Sequence, residues 1–229
     1  MPPKGKNSQA KRRKDAKQDK RISDLEKFVK KTIENKQVNY SITATNMNSG
    51  GYSTSNFIQL EIGASDGANY GDPARIGNTI TLMNQRFCMN FVGSATDTFN
   101  QIRVLLVESK SGAQSLTLND VLYYSNYSVH GDNVFSSPYT TKSDTNKRYK
   151  VHMDKCFCLS GMATKGGVPP AKVIKHNIKY GKDGKLVEYS GVGANLPTNH
   201  KISLLVITDS VSATHPTMSY SVRSTYKDA

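Results

Sequence analysis

Short apolar runs separated by Gly, Asn, Asp, Ser and Pro follow one another from Gln37 to the end of this 229-residue chain. In several of these runs apolar residues recur at every second position, which is the period of a strand with one buried face. Short strands with turn residues between them are typical of sandwiches and barrels. The sequence therefore predicts an all-β domain that is long enough to bury its own core.

Eight strands are predicted, at about 56–62, 80–91, 102–107, 129–139, 149–159, 172–180, 202–207 and 217–226. Apolar residues of two of these strands share one phase: Tyr149, Val151, Met153, Phe157 and Leu159 in the first, and Met218, Tyr220, Val222 and Tyr226 in the second. The runs at 102–107 and 202–207 are apolar on both faces, so we expect central strands. The apolar phase changes near Asn84, which predicts a bulge.

Only residues 116–124 indicate a helix within this region, with Leu118, Val121 and Leu122 on its buried side. The segment Gly181–Leu186 predicts a hairpin turn. Eight antiparallel strands with long polar connections favour a double-sheet jelly roll. An immunoglobulin-like sandwich, which needs only about 100 residues, and a lectin are the alternatives.

The first 40 residues carry most of the positive charge. They hold 13 Lys and Arg against 5 Asp and Glu, a net charge of +8, whereas the remaining residues have a net charge of +5. Residues 1–21 contain nine basic residues, two acids and no aliphatic side chain larger than Ala, so we expect a disordered tail. A free chain of this kind binds polyanions.

A short amphipathic helix is predicted after this tail, from about Ser23 to Asn35. Ile22, Leu25, Val29 and Ile33 have helical spacing, and Ser23 and Glu26 have the spacing of a capping box. An isolated helix of this length is only marginally stable in water. We therefore expect it either to pack on its own domain or to become ordered against other subunits or nucleic acid. The predicted organisation is a basic arm over residues 1–37 and one domain over 38–229.

The sequence contains no HExxH or P-loop pattern, and its five histidines are scattered. The prediction is a protein without enzymatic activity or cofactor. Three cysteines fit reduced, packed thiols in a soluble, intracellular protein, and no segment is apolar enough for membrane insertion. Asp66, Asp72 and Asp97 are loop acids that would suit an interfacial calcium ion, but ordinary solvated acids are the favoured interpretation.

Two groups of basic residues remain within the predicted domain: Lys142, Lys147, Arg148, Lys150 and Lys155, and then Lys172, Lys175, Lys179, Lys182 and Lys185. On strands, alternation places many of them on one outward face. In an isolated domain that face is solvated charge. In an assembled shell it would supplement the arm.

Several strings resemble the capsid proteins of small circular Rep-encoding single-stranded DNA viruses, which are similar to coat proteins of satellite tobacco necrosis virus and its relatives. They are DPARIGNTITL, FNQIRVLLVESKSGAQSLTLNDVLYY, SPYTTKSDTNKRYKVHMDKCFCLSG, KISLLVITDS and PTMSYSVRSTYKDA. The resemblance runs in order from about Asp72 to Ala229, and the region from Val38 to Gly71 matches more loosely.

The resemblance implies a single jelly roll of eight strands in two four-stranded antiparallel sheets, with sixty copies forming a T=1 icosahedral shell. The arm would bind the single-stranded genome, with DNA favoured and RNA possible, through Lys4, Lys6, Lys11, Arg12, Arg13, Lys14, Lys17, Lys20 and Arg21. The KRRK string at 11–14 would also suit nuclear import. The expected location is the virion, and the host nucleus or cytoplasm during assembly.

Two other functions fit the same sequence. One is a monomeric nucleic-acid-binding protein with a basic arm and no assembly. The other is a jelly-roll lectin, which the absence of Trp disfavours because sugar sites use aromatic platforms, although 12 Tyr are present. Departures from the resembling family are also visible, since Asp15 and Asp19 dilute the charge of the arm.

Overall fold

The computed structural model describes residues 15–25, 35–60, 75–94, 99–110, 115–140, 149–160, 169–191, 193–211 and 215–228. The chain divides into two units, Met1–Asn35 and Lys36–Ala229. No helix among the described residues is long and apolar enough to cross a membrane.

The described residues contain nine strands: β1 (Asn35–Asn46), β2 (Tyr52–Thr54), β3 (Thr79–Val92), β4 (Phe99–Ser109), β5 (Tyr149–Ser160), β6 (Ala171–Lys179), β7 (Lys185–Glu188), β8 (Ile202–Thr208) and β9 (Thr217–Asp228). The described part of the N-terminal unit is helical over residues 15–25, here α1. Two short helices follow β4, α2 (Leu118–Val121) and α3 (Tyr127–His130), and a 3-10 turn at Gly131–Val134 comes next.

The strand order is that of a jelly roll. One sheet has the order β1-β9-β3-β6, with β7 also paired to β3, and the other has the order β2-β8-β4-β5. Neighbouring strands are antiparallel in the pairs β2–β8, β3–β6, β3–β7, β3–β9, β4–β5 and β4–β8. Chain neighbours such as β3 and β4 therefore lie in different sheets, as two wound Greek keys require. The all-β jelly-roll prediction is confirmed.

The nine strands occupy eight positions because β6 and β7 share one edge of β3. β9 pairs along the other edge of β3, while β6 pairs with Asn84–Val92 and β7 with Thr79–Leu82. Both run antiparallel to β3, so they point the same way and the predicted hairpin at Gly181–Leu186 is wrong. Gly184 is the last residue of the segment between β6 and β7. Its φ is 74°, and a Cβ there would lie 2.6 Å from Thr81 Cγ2, so the position requires glycine.

The main apolar core lies between the sheets. It includes Phe87 and Met89 of β3 with Val104 and Leu106 of β4, and these four side chains are fully buried. The predicted bulge in β3 is confirmed, because the β3–β9 register shifts between Leu82 and Asn84. The predicted central strands are also confirmed, since β8 and β4 are the two inner strands of their sheet.

A second apolar cluster covers the opposite face of the β4–β8 pair. Leu105 and Val107 of β4 pack there with Leu118, Val121 and Leu122, which confirms the buried side of the predicted helix. Arg103 joins this layer to the sheet, because its guanidinium donates to the Val134 and Ser137 carbonyls and to the carboxylate of Asp154. A strand predicted at 129–139 is wrong, since α3 and the 3-10 turn occupy most of it.

The N-terminal strands differ most from the sequence prediction. Residues 56–60 form no strand, and the two strands of this region are β1 and β2. β1 was missed because only Val38 of its twelve residues is buried, so its sequence shows little apolar alternation. The remainder of the predicted 56–62 strand lies outside the described residues.

Arg75 is a fully buried cation that fastens three segments of chain together. Its guanidinium donates to the carbonyls of Leu60, Gly77, Gly191 and Ala194 and to Asn78 Oδ1. Its Cζ atom lies 4.4 Å from the centre of the Tyr189 ring. Each of these oxygens would lose a donor without the arginine, although the Gly191 carbonyl also accepts from the Ala194 N–H.

Candidate nucleic-acid interface

The basic arm is described in part. Lys4, Lys6, Lys11, Arg12, Arg13 and Lys14 lie outside the described residues, as does most of the predicted 23–35 helix. Lys17, Lys20 and Arg21 are exposed on α1, in a stretch that we expected to be unstructured. Ala, Lys, Gln and Arg have high helix propensity, which accounts for helix in a segment that has no apolar face.

The helix places three cations and two of its acids on different faces. At 3.6 residues per turn, Lys17, Lys20 and Arg21 fall within one arc of about 100°. Asp15 and Asp19 fall together on a different face, but Asp24 falls inside the cationic arc, one turn after Lys20. The described part of the arm therefore presents three neighbouring cations, with one carboxylate among them, to a phosphate backbone.

A second basic surface is a groove on the jelly roll. Four of its lysines come from four different elements: Lys110 follows β4, Lys150 is on β5, Lys179 ends β6 and Lys185 begins β7. Glu108, His152, Tyr180 and Gly184 complete the lining. The sequence grouped Lys150 with one set and Lys179 and Lys185 with another, and the sheet topology brings them together.

A bulge in β5 turns two of these side chains into the groove. The β4–β5 register shifts between Leu106 and Val107, so His152 is an extra residue on β5. Met153 therefore faces the inner core while Val151 packs on the outer cluster. The predicted single buried face of this strand is therefore wrong. In the β4–β5 register Lys150 lies opposite Glu108, on the inner side of the sheet.

Glu108 is the centre of a charged cluster at the base of the groove. Its Oε2 atom lies 2.7 Å from His152 Nε2, and its Oε1 atom pairs with Lys185 Nζ. His200 Nδ1 lies 3.5 Å from Oε1, too far for a good hydrogen bond. Burial alone would raise the pKa of Glu108, but the contacts with His152, His200 and Lys185 outweigh burial and hold that pKa well below its usual range.

Behind Glu108 a polar layer crosses the interior. Tyr180 donates its hydroxyl proton to Gln85 Oε1 at 2.7 Å, and Gln85 Nε2 donates to Ser224 Oγ at 3.2 Å. His200 Nε2 lies within 3.3 Å of both Tyr180 Oη and Gln85 Oε1. Burial lowers the pKa of His200, more than Glu108 raises it. This layer could not be predicted from the sequence, because its members are far apart in the chain.

The cluster predicts that the jelly roll loses stability on acidification in two steps. Since the pKa of His200 is lower in the folded chain, the unfolded chain takes up this proton first, and stability falls below about pH 6.5. The pKa values of Glu108 and Asp154 are also lower in the folded chain, so their contributions are present above about pH 4.5 and are lost below it.

The measurement is the thermal midpoint from pH 7.5 down to pH 3. Glu108→Gln should remove part of the loss below about pH 4.5, whereas Asp183→Asn, at an exposed turn, should leave the pH curve unchanged. A midpoint that rises on acidification would contradict the assigned pKa directions.

Other candidate sites of the sequence have mixed outcomes. Cys156 and Cys158 are free thiols but exposed rather than packed, and Cys88 is partly buried. Asp66, Asp72 and Asp97 lie outside the described residues, so neither the favoured interpretation as solvated acids nor the calcium alternative is tested. Among the residues that the structure does describe, no group of three His, Cys, Asp or Glu could hold a metal ion. The sequence analysis missed Glu108 and Lys110, and two of the scattered histidines, His152 and His200, lie beside Glu108 in the fold.

Comparison with known proteins gives solved structures only. No family model and no curated protein sequence matches the chain. A Desmodium yellow mottle tymovirus structure is similar over 86% of this chain and 82% of that chain, with 11% identity and a TM-score of 0.37. The infectious bursal disease virus VP2 subviral particle is similar over 86% of this chain and 42% of that chain, with 9% identity and a TM-score of 0.16. At such low values the likenesses support no functional argument, and the jelly-roll assignment rests on the strand order.

Proposed function

We propose that the chain is a non-enzymatic viral capsid protein. In this proposal copies of the jelly roll assemble into a T=1 icosahedral shell, and the basic arm packages a single-stranded genome, with DNA favoured over RNA. The virion is the final location, and the host nucleus or cytoplasm is the place of assembly. Its partners are other copies of the chain and the genome.

The observation that supports this most is the combination of two features in one chain. Residues 36–228 have the jelly-roll strand order, and residues 1–21 have a net charge of +7. The resemblance of the strings between Asp72 and Ala229 to single-stranded DNA virus capsid proteins points to the same function. A rigid domain with a polycationic arm can meet its own copies and hold a polyanion at once.

The charge of the arm suits a genome that is only partly neutralised by it. Sixty arms would supply about 420 positive charges, and each nucleotide contributes about one negative charge. For a genome of one to two thousand nucleotides, lysines of the jelly roll and small cations would supply the remainder. Contacts from an arm to phosphates carry no base readout, so packaging would be indifferent to sequence.

Expression of the full chain alone should yield closed particles. Electron microscopy would show them, size-exclusion chromatography would place them near the void volume, and digestion of extracted material with DNase or RNase would identify the nucleic acid. A protein that stays monomeric in every buffer, with or without oligonucleotides, would contradict the capsid proposal and favour a monomeric nucleic-acid-binding protein. Monomers that bind a glycan array instead would favour a lectin.

A further inference from the structure

The lysines of the groove carry more positive charge than the single carboxylate in its lining can neutralise. Its lining contains four lysines and one glutamate, a net charge of +3 with histidine counted as neutral. Lys185 pairs with Glu108. Lys110, Lys150 and Lys179 are exposed, and none of the three forms an ion pair within the part of the chain that the structure describes.

Glu108 does not cancel this positive charge, because its carboxylate is already occupied. Its side chain is only 10% exposed, and its two oxygens face Lys185, His152 and His200. The pairing also holds the Lys185 ammonium and the His152 ring at the base of the groove. The three lysines that remain therefore surround a base of fixed geometry.

We infer that this groove is a second phosphate-binding site, on the jelly roll and separate from the arm. Its ligand is the phosphodiester group of a single strand, and the inference rests on the proposed function. Lysine is a compact, strongly hydrated charge that binds phosphate without demanding a planar partner. Two strands at the edges of opposite sheets, β5 and β6, contribute Lys150 and Lys179, so the groove lies along the side of the sandwich on which those edges meet.

The groove offers no means of reading bases. Tyr180 is its aromatic residue, and its ring packs against two apolar clusters while its hydroxyl is bonded to Gln85. It therefore cannot serve as a stacking platform. Binding in the groove should depend on salt and be indifferent to sequence, and the side with β5 and β6 should face the packaged strand.

Lysines on edge strands have another use, which is to prevent pairing between the edges of separate molecules. The two uses differ in what they predict for DNA. A site requires that the groove lysines matter more than lysines on another face of the same domain.

The test is the binding of a fluorescent dT20 oligonucleotide to the full chain across a salt series. Lys150→Gln with Lys179→Gln should make the log-log salt slope less steep by about 1.4, from about 0.7 per phosphate contact. The matched control is Lys175→Gln with Lys227→Gln. These lysines lie beside Cys88 and Thr81, on the side of β3 that points away from the core, and the control should keep the wild-type slope. Equal thermal midpoints would show that both variants fold.

Equal slopes for the groove variant and the control variant would overturn the site, whether both fall or neither does. A groove variant that loses binding to a sulfated oligosaccharide, but not to dT20, would also overturn it. The proposed function fails separately: a chain that never forms particles but shows the groove-dependent slope would retain the site and refute the capsid.

Discussion

Deleting residues 1–21 is expected to remove most of the salt dependence of single-stranded DNA binding. If all nine basic residues of this segment contact phosphates, the arm contributes about −6 to the log-log slope, and the intact chain should show about −8 once the three groove lysines are included. The slope has this size because each contact releases condensed counterions from the strand. After deletion the slope should fall to about −2, which is what three groove lysines would supply. Fluorescence anisotropy with dT20 across a salt series measures both values.

A scrambled arm is the matched control for this deletion. Shuffling residues 1–21 preserves their number and net charge of +7, and contacts to phosphates do not depend on residue order. The scrambled chain should therefore retain the slope of the intact chain. Should the truncated protein bind as tightly and as salt-sensitively as the intact one, the assignment of binding to the arm would be wrong.

Replacing Arg75 by leucine is expected to destabilise the jelly roll by roughly 4 kcal/mol. The guanidinium is 0% exposed, and its removal takes a hydrogen-bond donor from four carbonyls and from the Asn78 side chain, although the Gly191 carbonyl keeps the Ala194 N–H. Arg75→Lys should cost nearly as much, because one ammonium group cannot reach oxygens on three segments of chain. Urea denaturation of the full chain measures the free energy of unfolding.

Arg86 provides the comparison, since it is an exposed arginine on β3. Arg86→Leu should change the free energy of unfolding by less than about 0.5 kcal/mol, as surface substitutions usually do. An Arg75→Leu variant as stable as Arg86→Leu would show that the segments around Arg75 hold together without it.

The sequence predicted those strands that are apolar on one face or on both, and it missed β1, in which one residue of twelve is buried. In β3 the change of apolar phase near Asn84 is visible because polar residues occupy the opposite face, and the register shifts there. In β5 a comparable bulge at His152 is invisible. Apolar side chains are needed on both faces of its sheet, so Val151 and Met153 continue one alternation although they face opposite ways.

The groove was beyond prediction for a different reason. Lys110, Lys150 and Lys179 are separated by about 30 or more residues along the chain, and only the pairing of β4 with β5 and of β6 with β3 brings them near one another. The collinear arrangement of β6 and β7 is likewise a property of the sheet, since Gly181 and Gly184 would suit a hairpin equally well. The arm could be predicted more easily than the groove, because its basic residues are contiguous in the sequence.

The polar layer of Gln85, Tyr180, His200 and Ser224 has a consequence for how the sandwich comes apart. Tyr180 packs against the large cluster that contains Phe87 and also against the smaller one that contains Leu82 and Tyr226. Hydrogen-bonded groups, rather than continuous apolar side chains, lie at this boundary. The two apolar clusters therefore do not form one continuous core. The smaller cluster can therefore unfold locally as a separate cooperative unit while the larger cluster remains folded.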